Sequence, residues 1–441
     1  MSTTYLTSNF GSGTDDGVGQ KSTHSVWIKR TDPSGDIRST IISGVNGSAG
    51  YMKVRFGDND RLQIYGAHGN SNYCNVETKA EFRDVSGWYH VVLQIDTSNS
   101  TASERVKWYV NGELQELNTA TYPSQGEPNY LVISNDLEIG RNANGTNEHF
   151  DGTMSHFHGI YGTIYAPTAF GETDATTGEW KIKTSPSVTY GTYGFFILKD
   201  GNTVTDSSPN SNTFTVSGGT LTKTEDNPSN VFATWNSVAA NLDTTLTNGN
   251  TKVAHGSQLE RRPVISALGM SSGKYYAEFK ALSGSGGNLE VGIVNRSDPT
   301  TQGRYMGQSL KDAGWISYKF DGVVTFDGTD TSGLTSTSAN DILGVAVDID
   351  NTRVYFYKNG TLINSGGTSF ANMQGGDGDY FFCNGDRSGS STYSLEANFG
   401  NGYFGSTQIS SAGTNASGNG IFEYDVPSGG YTALSTKGLN T

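Results

Sequence analysis

The chain has 441 residues and a formal net charge of −14, which disfavours unaided attraction to DNA or to an anionic membrane. Its 58 glycines do not follow the every-third-residue spacing of collagen, and its 23 Tyr, 20 Phe and 6 Trp are too many for a disordered chain. The composition therefore predicts short aromatic strands joined by tight turns, and the length fits two domains.

Residues 1–21 are polar and Gly-rich, and we expect them to form an N-terminal arm. They lack a basic region followed by an apolar stretch, so no signal peptide is expected. No part of the chain approaches the roughly 18 consecutive apolar residues of a membrane span, so no membrane insertion is expected. Cys74 and Cys383 lie far apart in the sequence, and we expect two free thiols, as in a reducing cytosol.

Strand signals are clear in the first half of the chain. Apolar and polar residues alternate over 89–96 (YHVVLQID) and again over 106–110 (VKWYV), which is typical of half-buried strands. Asn111-Gly112 then predicts a tight hairpin, because both residues tolerate a positive φ. One or two helical turns are expected at residues 166–170, where Pro167 suits a first turn.

A polar stretch at residues 201–230, with two prolines and few large apolar residues, separates two groups of strands. We place the boundary close to Thr220, which gives an arm at 1–21, a first domain at 22–222 and a second domain at 223–441. Further strands are expected at 274–279, 289–294 and 342–349.

The two halves share a local pattern. The first half has VVLQIDT, a polar turn and RVKWYVNGEL, and the second half has VAVDIDN, a shorter turn and RVYFYKNGTL. Each is a strand, an acidic turn, an aromatic strand and an Asn-Gly hairpin. Two explanations remain open: convergence on a common hairpin, or two variants of one sandwich architecture.

These residues resemble known families. The segments GWYHVVLQIDTS, ERVKWYVNGEL, LEIGRNANG and FDGTMSHFHGIYG resemble the laminin-G/pentraxin-like branch of the concanavalin A-like sandwiches. The segments SSGKYYAEFKA, DILGVAVDIDNTRVYFYKNGTLI and LEANFGNGYFG resemble a SPRY domain. The resemblance implies an all-β fold of two tandem antiparallel jelly-roll (concanavalin A-like) sandwiches.

The tandem arrangement resembles bacteriophage virion proteins, through TAFGETDATTGEW, GFFILKDGNTVTDSSPNSNTFTV, EDNPSNVFATWN and FEYDVPSGGYTAL. This resemblance implies a non-catalytic virion surface protein of the tail-fibre or adhesin type, made in the host cytoplasm. Its expected partners are host-surface glycans or other virion proteins, and we expect a homo-oligomer, a trimer by analogy. A capsid decoration protein is the alternative.

Two further alternatives have weaker sequence support. Jelly-roll glycoside hydrolases carry Glu-x-Asp-x-x-Glu on one strand, but ETD at 172–174 is followed by Thr177 and EYD at 423–425 by Ser428. We therefore expect no enzymatic activity. An intracellular SPRY adaptor would be expected to carry an effector domain such as a RING or a coiled coil, and we find none in the sequence.

Two sets of candidate site residues follow from the resemblance. Laminin-G-like domains often hold calcium in end loops, and hard oxygen ligands are provided by Asn142, Asn144, Glu148 and Asp151. The alternative is that these residues only form turns. SPRY domains often present ligand loops in the region that contains Tyr305, Trp315 and Tyr318, so we expect these aromatic residues to contact a partner.

Overall fold

The computed structural model describes residues 3–9, 18–33, 38–69, 71–132, 136–145, 147–199, 204–240, 244–256, 263–283, 289–295, 314–326, 329–373, 378–386 and 392–439. The chain divides into two compact units, Met1–Lys223 and Thr224–Thr441. This division lies one residue after the boundary expected from the sequence. Among the described residues, no helix is long and apolar enough to cross a membrane.

Among its described strands, the first unit has two large sheets and a small two-stranded hairpin. Its strands are β1 (Tyr5–Ser8), β2 (Lys21–Arg30), β3 (Ser39–Asn46), β4 (Gly50–Phe56), β5 (Leu62–His68), β6 (Ser71–Thr78), β7 (Tyr89–Asp96), β8 (Val106–Val110), β9 (Glu113–Leu114), β10 (Leu117–Thr121), β11 (Asp136–Ile139), β12 (Gly152–Tyr161), β13 (Gly171–Thr173), β14 (Trp180–Ile182), β15 (Phe195–Ile197) and β16 (Thr215–Ser217). The larger sheet has the order β10-β6-β5-β4-β3-β11-β1-β16, and the smaller has β15-β12-β2-β7-β8-β9. One hydrophobic core lies between them and takes residues from both.

Part of the expected N-terminal arm belongs to this core unit, so that prediction is wrong for these residues. Strand β1 pairs with both β11 and β16, and its Leu6 is 3% exposed in the core. A 3₁₀ turn at Val18–Gln20 then leads directly into β2. The polar composition hid β1 because only one large apolar side chain faces inward from it. Residues 10–17 lie outside the described part of the chain.

Strand β7 confirms the alternation expected for its inner face, because Val91, Leu93 and Ile95 all lie in the core. Its outer face is buried as well, with both His90 and Val92 at 0% exposure. The covering residues come from the segment that follows β12, which includes the 3₁₀ turn Pro167–Ala169 at the expected helical position and the small β13–β14 hairpin.

The second unit is also a pair of sheets around one core. Its strands are β17 (Thr244–Thr247), β18 (Lys252–His255), β19 (Val264–Ile265), β20 (Lys274–Ser283), β21 (Leu289–Asn295), β22 (Trp315–Lys319), β23 (Val323–Phe326), β24 (Thr329–Thr331), β25 (Ile342–Asp348), β26 (Arg353–Lys358), β27 (Thr361–Leu362), β28 (Thr368–Ser369), β29 (Tyr380–Asp386), β30 (Tyr393–Asn398), β31 (Tyr403–Phe404), β32 (Thr407–Gln408) and β33 (Thr432–Ala433). The larger sheet has the order β17-β18-β30-β20-β25-β26-β27, and the smaller has β19-β29-β21-β22-β23-β24. A short helix, Thr436–Leu439, follows β33. The all-β class with two sandwich units is confirmed.

The Asn-Gly hairpins of the two units have matching geometry. Asn111 and Gly112 have φ of 48° and 84°, and Asn359 and Gly360 have φ of 47° and 77°. The Asn111 Oδ1 accepts the backbone N–H of His90 at 2.8 Å, and the Asn359 Oδ1 accepts that of Ile342 at 2.8 Å. Each asparagine thus ties its hairpin to the start of the neighbouring strand, β7 in the first unit and β25 in the second.

An aromatic ring covers each hairpin glycine. A Cβ placed on Gly112 would lie 2.6 Å from the Trp180 ring, and one placed on Gly360 would lie 2.9 Å from the Tyr424 ring. Both rings come from segments far downstream in the sequence. Two constraints therefore favour glycine at each position: the positive φ of the residue and the close approach of the ring.

The two cysteines are free, as expected, and the structure shows that both are buried. Burial raises the pKa of the Cys74 thiol to about 12 and also raises the pKa of Cys383. Neither thiol is therefore a reactive thiolate at neutral pH.

Candidate functional site

The outer face of the larger sheet in the first unit carries a cluster of aromatic and charged side chains. Strand β4 turns Met52 and Val54 into the core, so that its alternate residues Tyr51, Lys53 and Arg55 lie on the outer face. The pattern YMKVRF shows this alternation in the sequence, although it did not by itself indicate a site.

Strand β5 adds a second row to this face. Lys53 lies opposite Tyr65, and Arg55 lies opposite Gln63. The rings of Tyr51 and Tyr65 are 6.1 Å apart, and the Lys53 Nζ lies 5.8 Å from the centre of each ring. Both tyrosines are half-buried, whereas Lys53 and Arg55 are buried. The arrangement holds two partly open rings around a fixed cation.

A hydrogen-bonded chain extends the face onto strand β6. The Arg55 Nε donates to the Gln63 Oε1 at 2.8 Å, and the Gln63 Nε2 donates to the Asn75 Oδ1 at 2.9 Å and to the Glu77 Oε2 at 3.4 Å. These side chains lie in adjacent rows of neighbouring strands, so each one fixes the orientation of the next. We call the set Tyr51, Lys53, Arg55, Gln63, Tyr65 and Asn75 the β4–β5 face.

Glu148 closes one side of the β4–β5 face. Its carboxylate accepts the Lys53 Nζ at 2.9 Å and the Arg55 Nη1 at 2.8 Å, and Arg38 lies 3.8 Å away. Burial of the carboxyl opposes its ionisation, but the Lys53 hydrogen bond and the Arg55 charge outweigh burial, so the pKa of Glu148 lies below its usual value. Three cations thus converge on one carboxylate.

The structure gives the residues of the expected calcium loop other contacts. The Asn142 Oδ1 accepts the backbone N–H of Asn144 at 3.1 Å, and the backbone N–H of Asp151 donates to the Ser39 Oγ at 3.2 Å. The carboxylate of Glu148 is occupied by cations. Among the described residues, no group of three or more His, Cys, Asp or Glu side chains could hold a metal ion. The contacts agree with the alternative, turn-forming role, and calcium binding stays a prediction.

Two of the aromatic residues expected to contact a partner, Trp315 and Tyr318, are not open to one. Trp315 is 3% exposed and packs with Val294 and Cys383. Tyr318 is 0% exposed in the core, and its hydroxyl donates to the backbone oxygen of Thr335. Strand β22 is buried along its whole length, so neither ring offers a face to a ligand. Tyr305 lies outside the described residues.

Hydrogen bonds stabilise the ionised form of the aspartate in each of the two Glu-x-Asp motifs. Backbone N–H groups of Thr177 and Thr176 lower the pKa of Asp174 to about 2, and hydrogen bonds from Thr414 lower the pKa of Asp425. Glu172 forms ion pairs with two lysines. A general acid requires a raised pKa, so Asp174 and Asp425 do not have the electrostatics of a glycosidase acid.

A family model matches the first part of the chain. Residues 2–168 match the laminin-G model described as "Concanavalin A-like lectin/glucanases superfamily". No curated protein shows significant similarity to the chain.

Solved structures similar to the chain include two SPRY domains and a laminin fragment. The SPRY domain of human HERC1 shares 18% identity over 35% of this chain and 91% of its own, with a TM-score of 0.28. The PSpry domain of TRIM65 shares 17% identity over 38% of this chain and 91% of its own, with a TM-score of 0.30. Domains LG4-5 of the mouse laminin alpha1 chain share 10% identity over 86% of this chain and 79% of their own, with a TM-score of 0.28. Likeness at these scores is no basis for inferring a shared function. The chain is an all-β protein of two sandwich units, and residues 2–168 of the first unit match a laminin-G model of the concanavalin A-like superfamily.

Proposed function

We propose that the protein is a non-catalytic glycan-binding protein and that the β4–β5 face of the first unit holds the glycan. The observation that carries the proposal is the pair of half-buried rings, Tyr51 and Tyr65, beside the polar side chains of Lys53, Arg55 and Gln63. Aromatic faces stack on the apolar faces of pyranose rings, and a few fixed polar groups then select the sugar hydroxyls. The match to a lectin and glucanase superfamily supports this assignment.

Preorganisation of the face supports the same function. Lys53 and Arg55 are held by Glu148, and Gln63 is held by Arg55 and Asn75, before any ligand arrives. A site whose side chains are already ordered loses less conformational entropy when it binds. The lowered pKa values of Asp174 and Asp425 support binding without hydrolysis.

A glycan array probed with the full chain tests the proposal. We expect the wild type to bind a subset of glycans, and Tyr51→Ala with Tyr65→Ala to weaken that binding roughly tenfold or more, which corresponds to about 1.4 kcal/mol. Tyr109→Ala, on strand β8 of the other sheet, is the matched control and leaves binding unchanged. Thermal melting checks that each variant is folded. Equal binding by the double variant, or no glycan bound by the wild type, refutes the proposal.

We also propose a setting for this activity, and the sequence resemblance alone motivates it. The protein would act on the surface of a phage particle, as a tail-fibre or adhesin component bound to other virion proteins, with capsid decoration as the alternative. A shallow sugar site binds weakly, so many copies, or a trimer, would raise the avidity by roughly 10²–10⁴. Antibody labelling of particles tests the location, and the mass of the native protein tests the homo-oligomer.

A further inference from the structure

The second unit has its own aromatic face on the outer side of its larger sheet. Strand β26 turns Val354 and Phe356 into the core, so Tyr355 and Tyr357 lie on the outer face. The C-terminal segment adds Tyr424 and Tyr431 beside them. We call these four residues the tyrosine face.

Glycines and a buried ring hold these tyrosines in place. A Cβ on Gly367 would lie 2.6 Å from the Tyr355 ring, and a Cβ on Gly360 would lie 2.9 Å from the Tyr424 ring. Tyr357 packs edge to face on the buried Tyr276, with ring centres 6.4 Å apart. The rings are therefore fixed from beneath, and binding a ligand on top of them would order little further.

The hydroxyl groups of the tyrosine face are unused. Within the described part of the chain, the phenolic oxygens of its four members make no hydrogen bond, and none of them is enclosed as a buried, unsatisfied atom. Each hydroxyl is thus reached by solvent and can both donate and accept a hydrogen bond. A purely structural cluster of aromatic residues would not require a hydroxyl on every ring, since phenylalanine packs equally well.

Acidic groups border the tyrosine face. The carboxylate of Asp341 lies 3.0 Å from the Lys358 Nζ and accepts the Asn359 Nδ2 at 2.7 Å. Glu423 and Asp425 flank Tyr424 in the sequence. The Lys274 Nζ lies 5.7 Å from the centre of the Tyr431 ring and pairs with Asp348 at 3.1 Å, so lysines balance these carboxylates. Paired carboxylates still accept hydrogen bonds from neutral hydroxyl groups.

We propose that the tyrosine face is a second saccharide site and that it takes neutral sugars. Fixed rings provide stacking surfaces, the free phenols provide hydrogen bonds, and the paired charges at the border offer no net attraction to a charged sugar. This inference goes beyond the function proposed for the first unit, since it concerns different residues in a different unit. One chain would then hold two sites.

Titration of the full chain with neutral oligosaccharides of glucose, galactose, mannose and N-acetylglucosamine, followed by saturation-transfer NMR, tests the inference. We expect at least one neutral oligosaccharide to bind, Tyr357→Ala to weaken its binding about tenfold, and Tyr357→Phe to weaken it less. Tyr109→Ala, on strand β8 of the first unit, leaves this binding unchanged, and repeating the Tyr357 variants in the Tyr51 and Tyr65 double variant separates the two sites even if the first proposal fails. The phenylalanine variant keeps the test valid if the alanine variant does not fold.

Three results would overturn the inference. The first is that no neutral oligosaccharide binds the wild type. The second is that binding is lost in the Tyr51 and Tyr65 double variant but kept in both Tyr357 variants. The sugar would then bind at the β4–β5 face and not at the tyrosine face. The third is that the Tyr357 variants lose only binding of a peptide selected from a displayed library, which assigns the tyrosine face to proteins.

Discussion

At the scale of single residues, buried ionisable groups show how the outer sheet faces are closed. His90 stacks between Trp27 and Trp180, with ring centres 4.7 and 5.9 Å away. The Trp180 Nε1 donates to the His90 Nδ1 at 3.0 Å, so the proton of the neutral ring is on Nε2, 2.9 Å from the Ser25 Oγ. Burial lowers the pKa of His90 to about 3, so the ring is neutral at physiological pH.

Glu278 is a buried ionisable group of the second unit. Burial raises its pKa, whereas burial lowers the pKa of His90. Its carboxylate accepts the backbone N–H groups of Glu423 and Tyr424 at 2.8 and 2.9 Å, which fastens the C-terminal segment to the larger sheet. Burial raises the pKa of Glu278 to about 7 and exceeds the opposing effect of these hydrogen bonds. The folded state therefore favours the protonated carboxyl more than the unfolded state does.

The sign of the pH dependence follows from that raised pKa. Glu278 reduces the stability of the second unit as pH rises from about 4.5 through about 7, by roughly 3 kcal/mol in total. We expect Glu278→Gln to remove this dependence while lowering the melting temperature, because an amide provides one acceptor for two backbone donors. Calorimetry of wild type and variant between pH 4.5 and 8 measures the difference. Glu423→Gln, which keeps the backbone hydrogen bond, is the control, and parallel pH curves for wild type and Glu278→Gln would contradict the assignment.

At the scale of elements, the paired hairpins explain what the sequence could and could not predict. The Asn-Gly turns were predictable because positive φ at two successive residues is a local property of those residue types. The rings that cover them were not, since Trp180 lies 68 residues after Gly112 and Tyr424 lies 64 residues after Gly360. Equivalent turns with equivalent covers favour two variants of one architecture over convergence of short hairpins.

Glycine substitutions distinguish the stability cost of the positive φ from the cost of displacing the covering ring. Gly126 and Gly366 also have positive φ, 82° in each case, but nothing lies within 4 Å of a Cβ placed on them. We expect Gly126→Ala and Gly366→Ala to cost about 1 kcal/mol, the backbone penalty alone. Gly112→Ala and Gly360→Ala should cost a further 1–3 kcal/mol or so, because the ring must move. Urea unfolding of the four variants measures this, and equal losses within each pair would show that the rings are loosely held.

The same reasoning explains the errors at Trp315 and Tyr318. The expectation that these rings contact a partner came from a resemblance. Their burial depends on what packs against both faces of β22. Tyr51, Lys53 and Arg55 were missed for the opposite reason. Their alternation was visible in the sequence, but only the register of β4 against β5 places them beside Tyr65.

At the scale of the whole molecule, each unit has its own core and its own pair of sheets. We therefore expect residues 1–223 and 224–441 to fold when expressed separately, because among the described residues each core is formed by residues of its own unit. Circular dichroism and calorimetry of the two fragments measure this. Two soluble fragments with cooperative transitions are the predicted outcome, and two unfolded fragments would contradict the division.

The central claim is that the protein binds a glycan and leaves it intact. The most direct measurement incubates the full chain with a glycan selected on the array, separates bound from free glycan, and assays reducing ends in both fractions. We predict that the glycan is retained by the wild type, recovered at its original length, and not retained by the Tyr51 and Tyr65 double variant. Release of new reducing ends, or recovery of all the glycan in the free fraction, would contradict the claim.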